Sequence, residues 1–507
     1  MALASTFTAT VEGVSAHLVT VESNVGPGLP GIFVVGLGDA TVRESRDRIR
    51  TATTNTGLPW PRTKIMVSLS PADVPKTGSH FDLPIALAVL SCTHPAVAHR
   101  MRTTLVAGEL GLDGQLRAVG GVLPMLIAAR HEGIRHVVIP RANAAEAALL
   151  GERNILVADT LAQVWEWAQD MRELDRAVDV GKSDSAPRED LDFADIAGQD
   201  DTKRIVEIAA AGAHHLFMVG PPGSGKSMLA QRIPSILPPL SSEQMVEATA
   251  VHSVVSNSAT KVITHAPLIS PHPGVTRAAL IGGGPGSARP GAISMAHHGV
   301  LFLDEVSEVS ASVIDSLRIP LEEGQVRLAR PRREVVFPAQ FQLVMAANPC
   351  RCGTDDPLAC TCSSRQRATY LNNISGPLRD RIDISVEVTN ANAVLSTAHS
   401  EPSSVIAARV AAARDRAEHR WSRAGVQATT NAAISPSVLR RDYPADEAGM
   451  ALLGAYLACG DISQRGVDRA IKLAWTLCDL AGATQPTLDH VAQAIDLRDT
   501  TGVRSAA

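Results

Sequence analysis

The chain has 507 residues and a mass of 53.4 kDa, which predicts about three domains at roughly 150 residues each. Hydrophobic residues make up 45% and charged residues 20%, a globular composition that excludes an intrinsically disordered chain. The 47 basic and 52 acidic residues give a net charge of -5, which excludes a uniformly basic nucleic-acid binder but allows a local basic patch. Aromatic residues are only 3%, too few for wide platforms on which bases stack.

The composition predicts neither a membrane protein nor a secreted one. No stretch reaches about 18 uncharged apolar residues, so we expect no membrane span. The run from Met1 to Phe7 has no basic region ahead of an apolar one, unlike a signal peptide. The seven cysteines are an odd number, which favours free thiols in a reducing compartment. The sequence therefore predicts a cytoplasmic protein.

Hydrophobic patterning divides the chain into four parts. Residues 1–175 alternate strand and helix signals and predict an α/β domain. The polar run at 176–190 predicts a linker, 191–395 a second α/β domain, and the alanine-rich residues 396–507 a helical bundle. In the first domain, strands are predicted at Ile32–Val35, Ile65–Val67, Thr104–Ala107, His136–Ile139 and Asn154–Val157. Helices are predicted at 41–54, 82–92 and 122–131.

A phosphate-binding motif opens the second domain. Residues 220–227 match G-x-x-x-x-G-K-[ST], between an apolar strand at 216–219 and a helix from Met228. Glycines let backbone N–H groups approach phosphates, and the helix N-terminus adds a favourable dipole. Lys226 is predicted to reach the β- and γ-phosphates, and Ser227 to hold Mg²⁺. The predicted nucleotide contacts are Gly220, Pro221, Pro222, Gly223, Ser224, Gly225, Lys226 and Ser227.

A second apolar strand, at 300–303, ends in the carboxylates of Asp304 and Glu305. Asp304 is predicted to bind Mg²⁺ and Glu305 to polarise the attacking water. Alone, such a pair is usually a solvated strand end. Following a P-loop at this spacing, it predicts an enzyme that hydrolyses a nucleoside triphosphate.

Further motifs point to a family. Phe193–Gln199 precedes the P-loop, and Phe341–Pro349 and then Gly376–Asp383 follow the Asp-Glu strand. In this order, residues 191–395 resemble the magnesium-chelatase-like branch of the AAA+ superfamily. The resemblance implies that Asn348 is the sensor-1 residue that orients the lytic water. It also implies that Arg381 is an arginine finger in a neighbouring subunit's site. Arg379 is the alternative finger, and a surface salt bridge is the alternative role.

The C-terminal part resembles the sensor-2 helix of the same family. Ser463 is predicted to cap a helix that runs to about Leu480. The resemblance implies that Arg465 contacts the nucleotide, with Arg469 as the alternative and a solvated helix face as a third interpretation. A finger that acts in a neighbouring site also implies a ring, expected to be a homo-hexamer.

Arginines are concentrated in a predicted hairpin at 325–337, where 327–333 contain four arginines and no acid. In the AAA+ branch that the chain resembles, a hairpin here projects into the ring pore. Its arginines are predicted to contact DNA phosphates, in a salt-sensitive manner that is blind to base sequence. The glycine-rich loop at 282–291 is a second candidate. A solvated hairpin tip and a flexible connection are the alternatives. The DNA-binding candidates are Arg289, Arg330, Arg332 and Arg333.

Four cysteines lie in one short segment, as the pairs Cys350-x-Cys352 and Cys360-x-Cys362. Four thiols so close suit tetrahedral Zn²⁺ in a structural rather than a catalytic site. The C-x-C spacing is less specific than two intervening residues, so free thiols and a redox-labile pair remain the alternatives.

The N-terminal domain carries a further resemblance. The run Pro71–Pro84, followed by Gly108–Gly114 and Val119–Gly121, resembles the Lon-protease-like fold. That family's nucleophile position holds His80 here, and no lysine follows Gly121 to activate a hydroxyl. We therefore expect a noncatalytic scaffold for DNA binding or ring assembly, with His80 and Asp82 serving packing and turn formation.

The domain order resembles the YifB/ComM family across essentially the whole chain. This implies an AAA+ P-loop NTPase core, an N-terminal Lon-protease-like (ribosomal-S5-like) α/β domain and a C-terminal helical lid. It implies an ATP- and Mg²⁺-dependent DNA motor that acts in branch migration of recombination intermediates or in natural transformation. Two rival functions remain. The motor of a metal-insertion complex is disfavoured by the N-terminal domain and by the lack of a D-x-S-x-S motif. A chaperone-like regulatory ATPase predicts apolar pore residues rather than arginines.

Overall fold

A computed structural model describes nine segments of the chain. They are residues 2–36, 38–181, 191–256, 258–284, 288–330, 333–354, 360–371, 373–389 and 400–498. Among these residues, no helix is long and apolar enough to cross a membrane.

The described N-terminal residues form a mixed α/β unit that ends near Gly181. Its strands are β1 (Ala2–Glu12), β2 (Ser15–Gly26), β3 (Gly31–Val35), β4 (Lys64–Ser70), β5 (Thr104–Val106), β6 (Glu109–Leu110), β7 (Leu116–Arg117), β8 (His136–Pro140), β9 (Ile155–Ala158) and β10 (Asp175–Arg176). Its helices are α1 (Ala40–Asn55), α2 (Asp82–Ser91), α3 (Pro95–Met101), α4 (Val122–His131), α5 (Ala144–Ala148), α6 (Leu161–Ala168) and α7 (Ala177–Val180).

Eight of these strands form one sheet in the order β10-β9-β8-β5-β1-β2-β4-β3. The five strands and three helices predicted from the sequence are confirmed. The sequence patterns missed the antiparallel hairpin of β1 and β2, which pairs from Ala2–Val25 to Glu12–Ser15 at the centre of the sheet. The missed signal is a period-2 alternation that buries Val19, Val21 and Ser23 on one face. Strand β10 ends at Arg176 and helix α7 spans Ala177–Val180, so both extend into residues 176–190, where the sequence predicts a linker.

The second unit begins after residues 182–190, which lie outside the described part. Its helices are α8 (Asp200–Gly212), α9 (Lys226–Ile236), α10 (Ser242–Ser253), α11 (Arg277–Ile281), α12 (Ala292–Met295), α13 (Ala311–Asp315), α14 (Arg318–Glu323), α15 (Ser364–Leu371) and α16 (Gly376–Arg379). Its strands are β11 (Leu216–Val219), β12 (Leu268–Ile269), β13 (Gly282–Gly283), β14 (Arg289–Pro290), β15 (Gly299–Leu303), β16 (Gln325–Arg330), β17 (Arg333–Pro338), β18 (Phe341–Ala347) and β19 (Ile384–Glu387).

Five strands of this unit form a parallel sheet in the order β12-β15-β18-β11-β19. Strands β11 and β15 are buried along their whole length, as expected for a parallel sheet covered by helices on both faces. Because the strands run in one direction, their carboxyl ends meet at one edge, where open parallel sheets bind ligands.

The described residues 400–498 contain helices and no strand. The helices are α17 (Ser403–Arg423), α18 (Pro436–Asp442), α19 (Glu447–Cys459), α20 (Gln464–Ala481) and α21 (Leu488–Arg498). Ser463 caps α20 by accepting a hydrogen bond from the backbone N–H of Gly466 at 3.1 Å, as predicted. Trp421 and Trp475 pack edge-to-face at 6.0 Å in a core shared with the parallel sheet.

Candidate nucleotide site

The P-loop connects β11 to α9 through backbone conformations that favour glycine. Gly223 and Gly225 have φ of 80° and 82°, in the left-handed region that other residues rarely adopt. A Cβ on Gly220 would lie 2.2 Å from the carbonyl oxygen of Val388, so the loop passes too close to the chain after β19 for any side chain. These constraints explain why glycine stands at positions 220, 223 and 225 of the loop.

Lys226 lies buried inside this loop. Its Nζ donates hydrogen bonds to the carbonyl oxygens of Gly220 and Pro221, both at 2.7 Å. The same nitrogen lies 3.4 Å from Oδ1 of Asn348. Asn348 follows β18, whose Ala347 pairs with Val219 at the end of β11, so the sheet itself brings the two side chains together. The structure thus gathers two residues that the sequence predicted for the same site.

The hydroxyl of Ser227 meets the end of β15. It donates a hydrogen bond to Oδ2 of Asp304 at 2.6 Å. A hydroxyl and a carboxylate in contact are oxygen ligands of the kind that Mg²⁺ takes, so these residues fit the predicted ion. Glu305 is exposed and has φ of 47°, an uncommon conformation for a non-glycine residue. Its backbone N–H donates to Oδ1 of Asp304 at 2.9 Å.

Gln199 is a site residue to which the sequence interpretation assigned no role. Its Nε2 donates to the carbonyl oxygen of Ser224 at 2.7 Å, within the P-loop. Gln199 also has φ of 58°, and a Cβ on Gly225 would lie 3.0 Å from its amide. The available signal was its place at the end of the Phe193–Gln199 motif.

The predicted finger contacts its own chain in this structure. Arg381 is 9% exposed and donates hydrogen bonds to a carboxylate oxygen of Glu322 and to the carbonyl oxygen of Pro377. The alternative finger, Arg379, lies at the end of α16 and is half-buried. Neither role is tested by these contacts, and the finger stays a prediction.

The two sensor-2 candidates differ clearly. Arg469 donates to Oδ1 of Asp383, which is 3% exposed, and so ties α20 to the start of β19. Burial alone raises the pKa of Asp383, but Arg469, His214 and His215 together hold it well below its usual range. Arg465 is exposed on the first turn of α20. These contacts do not test the sensor-2 role, so Arg465, with Arg469 as the alternative, stays a prediction.

The two arginine-bearing segments proposed for DNA contact touch each other. Nη2 of Arg330, at the end of β16, donates to the carbonyl oxygen of Gly284 at 2.7 Å. Arg289 lies exposed in β14, which pairs with β13. Arg333 begins β17, opposite Arg330 in the hairpin, whereas Arg332 and residues 285–287 lie outside the described residues.

The charge of this hairpin is partly compensated. Nε of Arg327 lies 3.2 Å from Glu323, and its Nη1 lies 3.9 Å from Glu334. The middle of the hairpin packs against the N-terminal unit, where a Cβ on Gly13 would lie 2.8 Å from Cγ1 of Val335. Among the described side chains of the hairpin, Arg327 is therefore the arginine that lies beside carboxylates.

The four cysteines converge although eight or more positions separate the two pairs. Sγ of Cys350 lies 3.1 Å from that of Cys352 and 3.7 Å from that of Cys360. Cys352 and Cys360 are 3.5 Å apart, and all four sulfur atoms, including that of Cys362, lie within 4.8 Å of one another. Zn–S bonds of about 2.3 Å in a tetrahedron place sulfur atoms about 3.8 Å apart, so the thiols fit such an ion.

The Lon-like signature residues are engaged in packing. His80 is buried, its Nε2 lies 2.9 Å from the carbonyl oxygen of Ala9, and burial lowers its pKa to about 4. Asp82 is buried against Arg48, with contacts of 2.6 and 2.9 Å, and burial raises its pKa to about 6 despite that partner. Ser79 donates to Glu109, while Lys76 is buried and donates to the carbonyl of Pro71.

The parallel sheet, with its P-loop, its Asp304–Glu305 strand end and Asn348 at one edge, defines a magnesium-chelatase-like domain of the AAA+ type. Three family models match the chain: "Subunit ChlI of Mg-chelatase" at residues 21–143, "Magnesium chelatase, subunit ChlI" at 192–395, and "Magnesium chelatase, subunit ChlI C-terminal" at 400–498. Matches on both sides of the nucleotide domain extend the likeness to most of the chain.

Similar proteins span the full chain. The uncharacterized protein Rv2897c of Mycobacterium tuberculosis is 45% identical over 503 residues, 99% of each chain. The uncharacterized protein YifB of Escherichia coli is 38% identical over 505 residues, 98% of this chain and 97% of its own. The competence protein ComM of Haemophilus influenzae is 37% identical over 505 residues, 98% of each. The chain therefore belongs to the YifB/ComM family of magnesium-chelatase-like proteins.

A partial similarity covers less of the chain. Lon protease 2 of Thermus thermophilus is 29% identical over 138 residues, which is 26% of this chain and 17% of that protein.

Proposed function

We propose that this protein is an ATPase whose hydrolysis cycle drives movement along DNA, in branch migration or natural transformation. The nucleotide half of the proposal is supported by the cluster of Lys226, Ser227, Asp304 and Asn348 at one sheet edge. In it, Lys226 would exchange its loop carbonyls for phosphate oxygens, and Ser227 and Asp304 would hold Mg²⁺. When bound, Mg²⁺ would neutralise part of the negative charge on the phosphates. Glu305 polarises the attacking water, and Asn348 orients it.

The DNA half of the proposal depends on one observation. The hydrogen bond from Arg330 to Gly284 joins the charged hairpin and the glycine-rich loop, so both arginine-bearing segments lie together. Repetition of that patch around a homo-hexamer would line a pore with cations, as phosphate binding requires. The name of the relative ComM, a competence protein, agrees with a role in the handling of transforming DNA.

The proposal that the protein forms a ring depends on the predicted arginine finger, Arg381. Within the chain, Arg381 contacts Glu322 and the carbonyl of Pro377 rather than the P-loop. A residue that completes a neighbour's site is expected to lie away from its own. In a ring, Arg381 would leave Glu322 and stabilise the charge that develops on the transferred phosphoryl group.

We propose structural Zn²⁺ at the four cysteines, a Lon-protease-like fold for the N-terminal unit, and a lid role for the C-terminal helices. The sulfur distances support the zinc site, and the partial match to Lon protease 2 supports the Lon-protease-like fold. Packing of α20 against the core of the parallel sheet supports the lid role.

We also propose a cytoplasmic location, with which the free thiols among the described residues agree.

A salt titration tests the DNA motor. Binding of a labelled forked DNA and ATPase stimulation are measured for the full chain, for Arg332→Ala/Arg333→Ala and for Arg327→Ala. Each lost phosphate contact lowers the slope of log K against log salt by about one, so the double variant should show a shallower slope. Arg327→Ala is the matched control, because its charge is already paired with Glu323. A wild-type ATPase that neither binds DNA at low salt nor responds to it would overturn the motor.

A further inference from the structure

The four-cysteine cluster lies against the nucleotide site. Gly353 follows Cys352 by one residue, is buried and has φ of 70°. A Cβ on Gly353 would lie 2.6 Å from Cγ and 2.9 Å from Cδ of Pro222, a P-loop residue. The cysteine segment and the phosphate-binding loop are therefore in direct contact, with room for glycine alone.

The other end of the cluster reaches the second half of the site. Helix α15 follows Cys362 and packs against the turn at Val306–Glu308, directly after Glu305. Burial and the nearby carboxylate of Glu308 raise the pKa of its Tyr370 to about 12. Just beyond that helix, Nδ2 of Asn373 donates to the carbonyl oxygens of Ser307 at 3.0 Å and Val309 at 2.6 Å. Both contacts clamp the turn that carries the predicted water-polarising carboxylate.

We propose that a Zn²⁺ ion held by the four cysteines positions the nucleotide site. It does so by setting Gly353 against Pro222, and Tyr370 and Asn373 against the turn after Glu305. Cys350 follows Asn348 by two residues. One segment cross-linked by the metal would therefore connect Asn348, the Gly353 contact with the P-loop and the Asn373 contact with the turn after Glu305. This inference rests on the proposed ATPase and zinc site. It adds that metal occupancy sets ATP binding, beyond its contribution to folding.

The physical reason is the shortness of the contact. A displacement of a few tenths of an ångström at Gly353 changes the position of Pro222, because the two residues have no spare volume between them. Among the described residues, the thiol contact between Cys350 and Cys360, at 3.7 Å, is a weak interaction compared with two bonds to a shared metal ion. Without the ion, the segment would lose its fixed position against the P-loop.

The test compares two ways of disturbing this contact in the full-length protein. Cys360→Ser/Cys362→Ser removes two ligands, whereas Gly353→Ala keeps all four and inserts a methyl group against Pro222. Gly425→Ala is the control for the glycine change, because Gly425 has the same φ of 70° but nothing within 4 Å of its added Cβ. Cys459→Ser controls for the loss of an exposed thiol elsewhere. Zinc per chain, affinity for a fluorescent ATP analogue and KM for ATP are measured for each.

The cysteine double variant should lose zinc, and both it and Gly353→Ala should weaken the affinity for the ATP analogue roughly tenfold, the scale of a steric penalty in a packed site. Gly353→Ala should retain its zinc, and the two controls should match wild type. Treatment of the wild type with a chelator should weaken its affinity for the ATP analogue, and added Zn²⁺ should restore that affinity. This measurement tests the inference even if the double variant does not fold. Zinc-bound Gly353→Ala with wild-type affinity would overturn the inference, as would a wild type that binds no zinc. A wild type that binds the analogue but lacks turnover would instead overturn the proposed ATPase.

Discussion

Ser227 and Asp304 are 77 positions apart in the chain, yet the hydroxyl of Ser227 donates to Oδ2 of Asp304 at 2.6 Å. Ser227 is fixed by the first turn of α9 and Asp304 by the end of β15. The contact shows that the two predicted Mg²⁺ ligands converge, because helix α9 and strand β15 are packed into the same core. Ligands that packing holds close together lower the cost of binding a cation that loses its water reluctantly.

Lys226→Ala should weaken nucleotide binding at least tenfold, about 1.4 kcal/mol, because a buried cation aimed at phosphates is lost. Affinity for a fluorescent ATP analogue measures this directly. Lys261→Ala is a suitable control, since Lys261 is exposed outside the P-loop. Equal affinities for wild type and Lys226→Ala would contradict the assignment of the P-loop.

Glu305→Gln should separate binding from turnover. The side chain is exposed at the strand end and is predicted to act on water rather than on the nucleotide. We expect kcat to fall roughly 10²- to 10⁴-fold, the range for loss of a general base, with little change in nucleotide affinity. Steady-state ATPase rates of wild type, Glu305→Gln and the control Glu447→Gln measure this effect. Glu447 is exposed at the start of α19. An unchanged kcat would show that a group other than Glu305 polarises the attacking water.

Arg381→Ala should lower kcat by about 10³-fold or more if the arginine acts as a finger. A role in trans is tested by mixing: Arg381→Ala and Glu305→Gln proteins, each nearly inactive, should recover part of the activity when combined in one ring. The recovery arises because some interfaces then pair an intact Glu305 site with an intact Arg381. Lack of recovery, or a larger effect of Arg379→Ala, would reject Arg381 as the trans-acting group.

Asp383→Asn should change the dependence of stability on pH. The pKa of this buried carboxyl lies below its unfolded value, so its stabilisation is present above about pH 4 and is lost as the pH falls through the folded pKa. At neutral pH the variant leaves Arg469 without its carboxylate and should lose about 3–5 kcal/mol of unfolding free energy. Its acid limb should also be flatter than that of wild type.

Chemical denaturation between pH 3 and 8 measures both effects of Asp383→Asn. Asp442→Asn is the control, because Asp442 pairs with Arg441 on an exposed helix end. An acid limb of unchanged steepness would show that Asp383 is not the group whose protonation destabilises the fold.

Most of the second domain could be predicted because its motifs are local. The P-loop, the Asp-Glu strand end and Asn348 each follow an apolar strand, and the order of the strands then brings their ends together. Gln199 escaped because its contact with Ser224 depends on a left-handed backbone conformation rather than on a motif of residue types. The β1–β2 hairpin escaped because its alternation is weak in apolar residues, although its length and register make it central.

The amino-acid sequence by itself determined the nucleotide-binding chemistry, the run of predicted strands and helices, and the concentration of arginines and cysteines in two short segments. Only the tertiary structure decided which of these features touch. Arg469 pairs with Asp383, Arg330 with Gly284, and Gly353 lies against Pro222, over separations that local periodicity does not encode. Such contacts follow from how whole elements bury their apolar faces, because close packing fixes the backbone positions that bring each pair within reach.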